Sequence, residues 1–161
     1  MAWWKNPEAQ LTPPVTRERI ARWFDAQGYN YDLSEDGSRI DSGFGAFPYH
    51  VEMVNENLMA VHGRFWTNLP PEDEEVTTGL RSLVQDLNRE NIVPSLATFV
   101  DDDGRQVAAT IAVGVKEGLN DDQLDDILAT CLRGVMSTFS ELAKERLDRK
   151  STRLNSSHEP L

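Results

Sequence analysis

Val107-Ala-Ala-Thr-Ile-Ala-Val-Gly-Val115 alternates by size: Val107, Ala109, Ile111, Val113 and Val115 fall on one side of an extended chain, and Ala108, Thr110, Ala112 and Gly114 on the other. Successive side chains of a strand point to opposite faces, so this reads as a strand with two unequal faces. The branched residues can join a core. The small ones let another backbone come close, or leave the sheet lightly covered. Before this strand stand Asp86-Leu-Asn-Arg-Glu-Asn-Ile-Val-Pro94, a strand around Leu96, Thr98 and Val100, and the acidic turn Asp101-Asp-Asp-Gly104. The turn is not a calcium loop, because Phe99 and Thr110 occupy the first and last ligand places of that template; its Asp-Gly step favours a tight hairpin. After the strand, Asn120 is placed to cap a final helix, with Gln123 where a capping-box partner belongs. The apolar positions Leu124, Ile127, Leu128, Cys131, Leu132, Val135, Met136, Phe139 and Leu142 make a stripe wider than one sheet face requires. A helix over residues 121–147 would be about 40 Å long, more than the width of a small domain, so part of it is expected to project or to pair with a second copy.

Upstream, Thr16 is a candidate cap for a first helix whose apolar set is Ile20, Trp23 and Phe24, and Gly28 stops it. The period then changes to two, with Tyr29 and Tyr31 before the hairpin turn Ser34-Glu-Asp-Gly37 and a strand from Arg39. Ser42-Gly-Phe-Gly45 lacks the lysine and helix of a phosphate loop and reads as a bulge or kink. Tyr49 to Val54 and Leu58 to Trp66 are strands joined at Asn55-Glu-Asn57. Pro70 and Pro71 introduce a helix whose first turn is Glu72-Asp-Glu-Glu75 and whose stripe is Val76, Leu80, Leu83, Val84 and Leu87. The order is helix, three or four strands, helix, two strands, long helix, an α+β fold with helices packed on an antiparallel sheet.

Composition limits the partners. With 161 residues, 16 Lys and Arg against 27 Asp and Glu, and a net charge of −11, the chain is one acidic domain by size. Such a surface repels phosphate backbones and anionic lipid, so neither nucleic acid nor membrane is an expected partner. The apolar runs are too short for a membrane span or signal-peptide core, and a cytoplasmic location is the default. The single cysteine, Cys131, excludes an intrachain disulfide and reads as a buried apolar residue. Trp3 and Trp4 stand on a Pro-broken N-terminal arm; they fold back on their own domain or dock into a groove.

Little in the sequence is reactive. If the turn pairs Val54 with Leu58, His50 lies opposite His62, with Glu52 one pair further along on the same face. Two imidazoles and a carboxylate can in principle hold a divalent metal. Polar residues on the solvated face of a sheet have the same pattern without any function, and a fourth ligand is not evident, so no metal or other cofactor is assigned. The remaining histidine is His158, and no serine, cysteine or carboxylate pair has a catalytic setting. We therefore expect a protein that is not an enzyme.

Three segments carry a family resemblance: Asp86-Leu-Asn-Arg-Glu-Asn91, Phe99-Val-Asp-Asp-Asp-Gly-Arg105 and Gly118-Leu-Asn-Asp-Asp-Gln-Leu124. With the element order, they resemble the YbjN family, bacterial proteins described as sensory transduction regulators, over about Val15 to Ala143. The resemblance implies an α+β fold similar to type III secretion chaperones, in which dimers are frequent, and it supplies no catalytic residues. The end of the chain, Asp148-Arg-Lys-Ser-Thr-Arg-Leu-Asn-Ser-Ser-His158, resembles instead the translation of a short-read sequencing adapter. The expected organisation is a flexible arm over residues 1–14, a YbjN-like domain over 15–147 and an adapter-derived tail over 148–161. The expected function is capture of a protein segment, with Leu124, Ile127, Leu128, Leu132, Val135, Met136 and Phe139 of the last helix and Ala108, Thr110 and Ala112 of the uneven strand as the contact residues. A homodimer is compatible with the same surfaces. The alternative is a small-ligand sensor with a pocket lined by Trp23, Phe24, Tyr49, Phe65 and Trp66.

Overall fold

The structure is a computed structural model that describes residues 12–157, with side-chain surroundings for residues 12–145. Helix α1 (Arg17–Gln27) is followed by β1 (Asp32–Leu33), β2 (Arg39–Phe44), β3 (Phe47–Asn55) and β4 (Leu58–Trp66). Then come α2 (Glu74–Glu90), β5 (Ser95–Asp101), β6 (Gly104–Gly114) and α3 (Asp121–Ser157). The strands form one antiparallel sheet in the order β1-β2-β3-β4-β6-β5. The chain leaves β4 through α2, lays β5 at the far edge, and returns along β6 into the centre. The α+β expectation holds, with four strands before α2.

The uneven strand behaves as its alternation requires. On the inner side of β6, Val107, Ala109 and Ile111 are buried; on the outer side Ala108 and Thr110 are half-buried and Ala112 is exposed. The same parity runs across the sheet, Ile40 facing Val51, Val51 facing Val61 and Val61 facing Ile111, all buried. Phe24 and Ile20 of α1 join this core, as do Leu128, Val135 and Phe139 of α3. The helix α3 crosses β4 at Gly63, where an added methyl group would lie 2.5 Å from Val135 Cγ1 and 2.7 Å from Phe139 Cε2. Hydrogen is the one side chain that fits there.

The helix ends follow their capping chemistry. Thr16 Oγ1 accepts from the Arg19 amide, and Gly28 closes α1 at φ 72°. Asn120 and Gln123 exchange side-chain to backbone bonds at 2.8 and 2.9 Å, the reciprocal box read from the sequence. For α2 the start differs from the expectation: Asp73 is the cap, accepting from the Val76 amide, so Glu72 lies outside the helix and Glu74 and Glu75 fill its first turn. A carboxylate that can bond an end amide makes a better cap than a helical residue. The segment Ser42-Gly-Phe-Gly45 is also different. It is no bulge but the end of β2 and a tight turn into β3, with Gly45 at φ 56°.

Trp3 and Trp4, and most of the expected N-terminal arm, lie outside the described residues. Its last three positions are held: Thr12 Oγ1 donates to the Glu117 carbonyl, Pro13 accepts from the Leu119 amide, and Arg19 donates to the carbonyls of Pro13 and Pro14. The expected tail also falls partly outside, and α3 runs to Ser157, ten residues beyond the Leu147 boundary expected for the domain.

Candidate binding surface

The expected apolar face of α3 is not available. Leu124, Leu128, Leu132, Val135 and Phe139 are buried, Ile127 is half-buried against the same core, and Met136 is half-buried along the cleft beside Trp23. The stripe is broad because α3 packs on two neighbours. Phe139 stacks near Phe47 and Phe65 of the sheet, while Asp125 accepts from the Trp23 indole at 2.8 Å and Asp121 pairs with Arg19 at 3.0 Å, both on α1. Uncovering the seven buried apolar residues Leu124, Leu128, Cys131, Leu132, Val135, Phe139 and Leu142 would cost about 10–20 kcal/mol at ~1.5–3 kcal/mol per side chain. That matches or exceeds the whole stability of an ordinary domain, roughly 5–15 kcal/mol. These positions therefore hold the fold, and α3 does not lend them to a partner.

The open surface is the other side of the sheet and its β5 edge. In an antiparallel ladder, residues alternate between pairs that exchange both backbone bonds and pairs that exchange none. Asn88 of α2 donates to the Leu96 carbonyl and accepts from the Leu96 amide, at 3.0 and 2.9 Å, so Leu96 belongs to the set facing away from β6. By the same parity Thr98 and Val100 face away too, and no other hydrogen bond occupies their backbone groups among the described residues. Asn88 thus acts as the next strand for one residue only. The Val100 side chain is 51% exposed, and the acidic turn Asp101-Asp-Asp-Gly104 adjoins it. Sequence reading found the motif around Asn88 but not this role, which depends on α2 lying along an edge.

On the outer face, His50 does pair with His62. The turn differs from the assumed one, since Asn55 and not Val54 pairs with Leu58, but a bulge between Met53 and Asn55 absorbs the extra residue and restores the register. The rings are 4.8 Å apart between centroids. His62 Nε2 lies 3.0 Å from Glu52 Oε1 and His62 Nδ1 lies 3.1 Å from Thr110 Oγ1. Burial and the neighbouring His62 ring hold His50 below the ordinary imidazole range, with Glu52 acting the other way. Thr110, His62 and Glu52 stand in the order of a nucleophile, a base and its orienting acid. Acyl transfer also needs free amides to receive an oxyanion. Here residues 106–110 of β6 are paired with both β4 and β5, so the amides around Thr110 are spent in the ladder.

Of the expected aromatic pocket, Trp23, Phe24 and Tyr49 do meet, with ring centroids 5.3 and 6.3 Å apart, but as packing within the core. Phe24, Tyr49 and Phe65 are core residues, Trp66 lies half-buried on β4, and Trp23 borders a cleft. That cleft, shared with Gln27, Tyr29, Phe44, Leu132 and Met136, has a volume of about 190 Å³. Ligand sites usually hold roughly 300–1,000 Å³.

Three helices packed on one six-stranded antiparallel sheet define an α+β domain. More narrowly, the chain belongs to the YbjN family: residues 16–144 match the family described as "Putative bacterial sensory transduction regulator". The fold is similar to a solved structure titled "Crystal structure of YbjN, a putative transcription regulator from E. coli". The TM-score is 0.65 at 11% identity, covering 83% of this chain and 96% of that one. It is also similar to an uncharacterized protein from Methanothermobacter thermautotrophicus, with TM-score 0.51, 14% identity and coverage of 81% and 99%. Identities this low speak for the fold alone. No curated relative matches the chain. No described helix is long and apolar enough to cross a membrane.

Proposed function

We propose that this domain is a non-enzymatic regulator that binds a short extended segment of a partner protein along β5. The observation that carries it is the edge itself: Asn88 satisfies Leu96, and the next two outward-facing residues, Thr98 and Val100, are left for another strand. An unpaired edge is a template for strand addition, where backbone bonds give affinity and alternate side chains give specificity. The occupant we favour carries an apolar residue beside the exposed Val100 and a basic residue beside Asp102 and Asp103. A net charge of −11 supports a protein partner over nucleic acid. The likeness to secretion chaperones implied by the sequence fits this mode, with the contact moved from α3 to the sheet. The sensor reading is weaker, because Phe24, Tyr49 and Phe65 are spent in the core.

A photo-crosslinking residue at Val100 tests the proposal in cells. The expected result is a discrete adduct that disappears in Thr98→Pro, which removes an outward N–H from an edge strand that tolerates proline. No adduct, or one indifferent to Thr98→Pro, overturns it. Light scattering identifies the occupant: a dimer abolished by Thr98→Pro would make it a second copy, contradicting the partner-segment reading.

A further inference from the structure

We propose that His50, Glu52 and His62 form a binding site for a divalent transition-metal ion of the zinc class on the open face of the sheet. The three residues come from adjacent central strands, β3 and β4, and their ligand atoms all lie within 4.8 Å of one another. Polar side chains that merely solvate a sheet surface spread outward separately; these converge and are half-buried, with side-chain exposures of 28% for Glu52 and 30% for His62. The His62 Nε2 to Glu52 Oε1 distance of 3.0 Å is close to the edge of a tetrahedron built on zinc, about 3.3 Å for bonds of about 2.0–2.1 Å. In the metal-free protein a proton bridges that gap. The metal takes its place.

Thr110 makes the exchange possible. Its hydroxyl donates to His62 Nδ1 while Nε2–H points at Glu52, and it accepts from Nδ1–H once Nε2 gives its lone pair to the metal. A metal-bound histidine ordinarily has such a partner on its other nitrogen, which fixes the tautomer and the ring. His50, opposite His62, has a ring nitrogen within 4.8 Å of the other two ligand atoms, so drawing it in to the tetrahedral edge of about 3.3 Å completes the protein's share of the site. Asp41, the cross-strand neighbour of His50, is engaged with Arg39 at 3.6 Å. The fourth position is therefore left to water. Two imidazoles, one carboxylate and a water suit zinc or cobalt better than magnesium or calcium, which prefer all-oxygen sites. The site is independent of the β5 edge and stands or falls apart from it.

Titration of the purified full chain with Zn²⁺ against a chromogenic chelator tests this, with Co²⁺ absorption reporting geometry. One equivalent bound at micromolar or tighter affinity is expected, with a tetrahedral-type cobalt spectrum. His50→Ala and His62→Ala should each weaken binding at least tenfold with the fold retained by circular dichroism. Thr110→Val should weaken it about tenfold by removing the orienting hydroxyl, and His158→Ala should leave it unchanged. Absence of binding at 100-fold excess of micromolar protein overturns the proposal, as does binding that survives both histidine variants or is lost with His158→Ala. Because zinc-induced shifts of the His50 and His62 ring resonances in the native chain are a second readout, a variant that fails to fold does not decide the matter.

Discussion

Gly63→Ala puts one methyl group where α3 crosses the sheet. Its Cβ would lie 2.5 Å from Val135 Cγ1 and 2.7 Å from Phe139 Cε2, against ordinary carbon contacts of about 3.5–4.0 Å, so the helix or the strand must give by roughly 1 Å. Overpacking of this kind costs about 1–3 kcal/mol. The substitution also removes unfolded-state freedom and so returns about 0.5–1 kcal/mol. The first effect wins, because β4 is paired on both sides and Phe139 is fully buried against the rings of Phe47 and Phe65, leaving neither wall free to retreat. A net loss of about 1–2 kcal/mol follows, read as a lower urea midpoint with unchanged slope and a melting temperature lower by about 2–8 °C. Adding Val135→Ala to Gly63→Ala should cost less than Val135→Ala alone, since the cavity it opens accepts the new methyl group. An urea midpoint that is unchanged or raised by Gly63→Ala, or strict additivity of the pair, would refute the close-crossing argument.

Four further outcomes follow from other parts of the structure. Asn88→Ala leaves the Leu96 amide and carbonyl without their partner and should cost about 1–3 kcal/mol, with the Leu96 amide losing most of its hydrogen-exchange protection. Asn120→Ala breaks the capping box and should cost about 0.5–2 kcal/mol in the same denaturation assay. Asp36 is held down to about 2 by the Ser38 amide and the hydroxyls of Ser34 and Ser38. A depressed carboxylate stabilises the fold above its unfolded value and loses that contribution as pH falls through its folded one. Carboxyl NMR should therefore titrate near 2, and Asp36→Asn should narrow its stability gap from wild type over the window from roughly 4 down to 2. Cys131 is buried and its thiol is pushed up by that burial. Alkylation at neutral pH should be slow in the native protein and rapid in urea.

What the sequence made legible was whatever one-sided burial writes into it. The alternation over Val107 to Val115, the caps at Thr16 and Asn120, and the hairpin turns with glycines at 37 and 104 are local rules that the structure obeys. The facing histidines were legible as well, although the bulge at the β3–β4 turn means the register was reached through a different turn. The start of α2 was missed because a proline pair and an acidic run both suit a first turn, and only the Asp73 bond distinguishes cap from helix. The exposed-stripe reading of α3 failed for a physical reason: a helix that packs on a sheet and also beside α1 needs a broad apolar face, and a one-dimensional pattern does not say how many neighbours share it. The edge function of Asn88 and the contact at Gly63 arise between elements far apart in sequence, where periodicity carries no signal.

The placement of α3 has a consequence for biosynthesis. Everything from α1 to β6 leaves the ribosome before the helix that carries Leu128, Val135 and Phe139, so the part of the sheet's oily side that α3 covers stays bare until then. The Leu119 amide, just before α3, bonds the Pro13 carbonyl, so the two ends of the domain meet only once that part of the chain has emerged. A translational pause before Asn120 would lengthen the exposed interval and raise aggregation, whereas a pause after Leu142 would not.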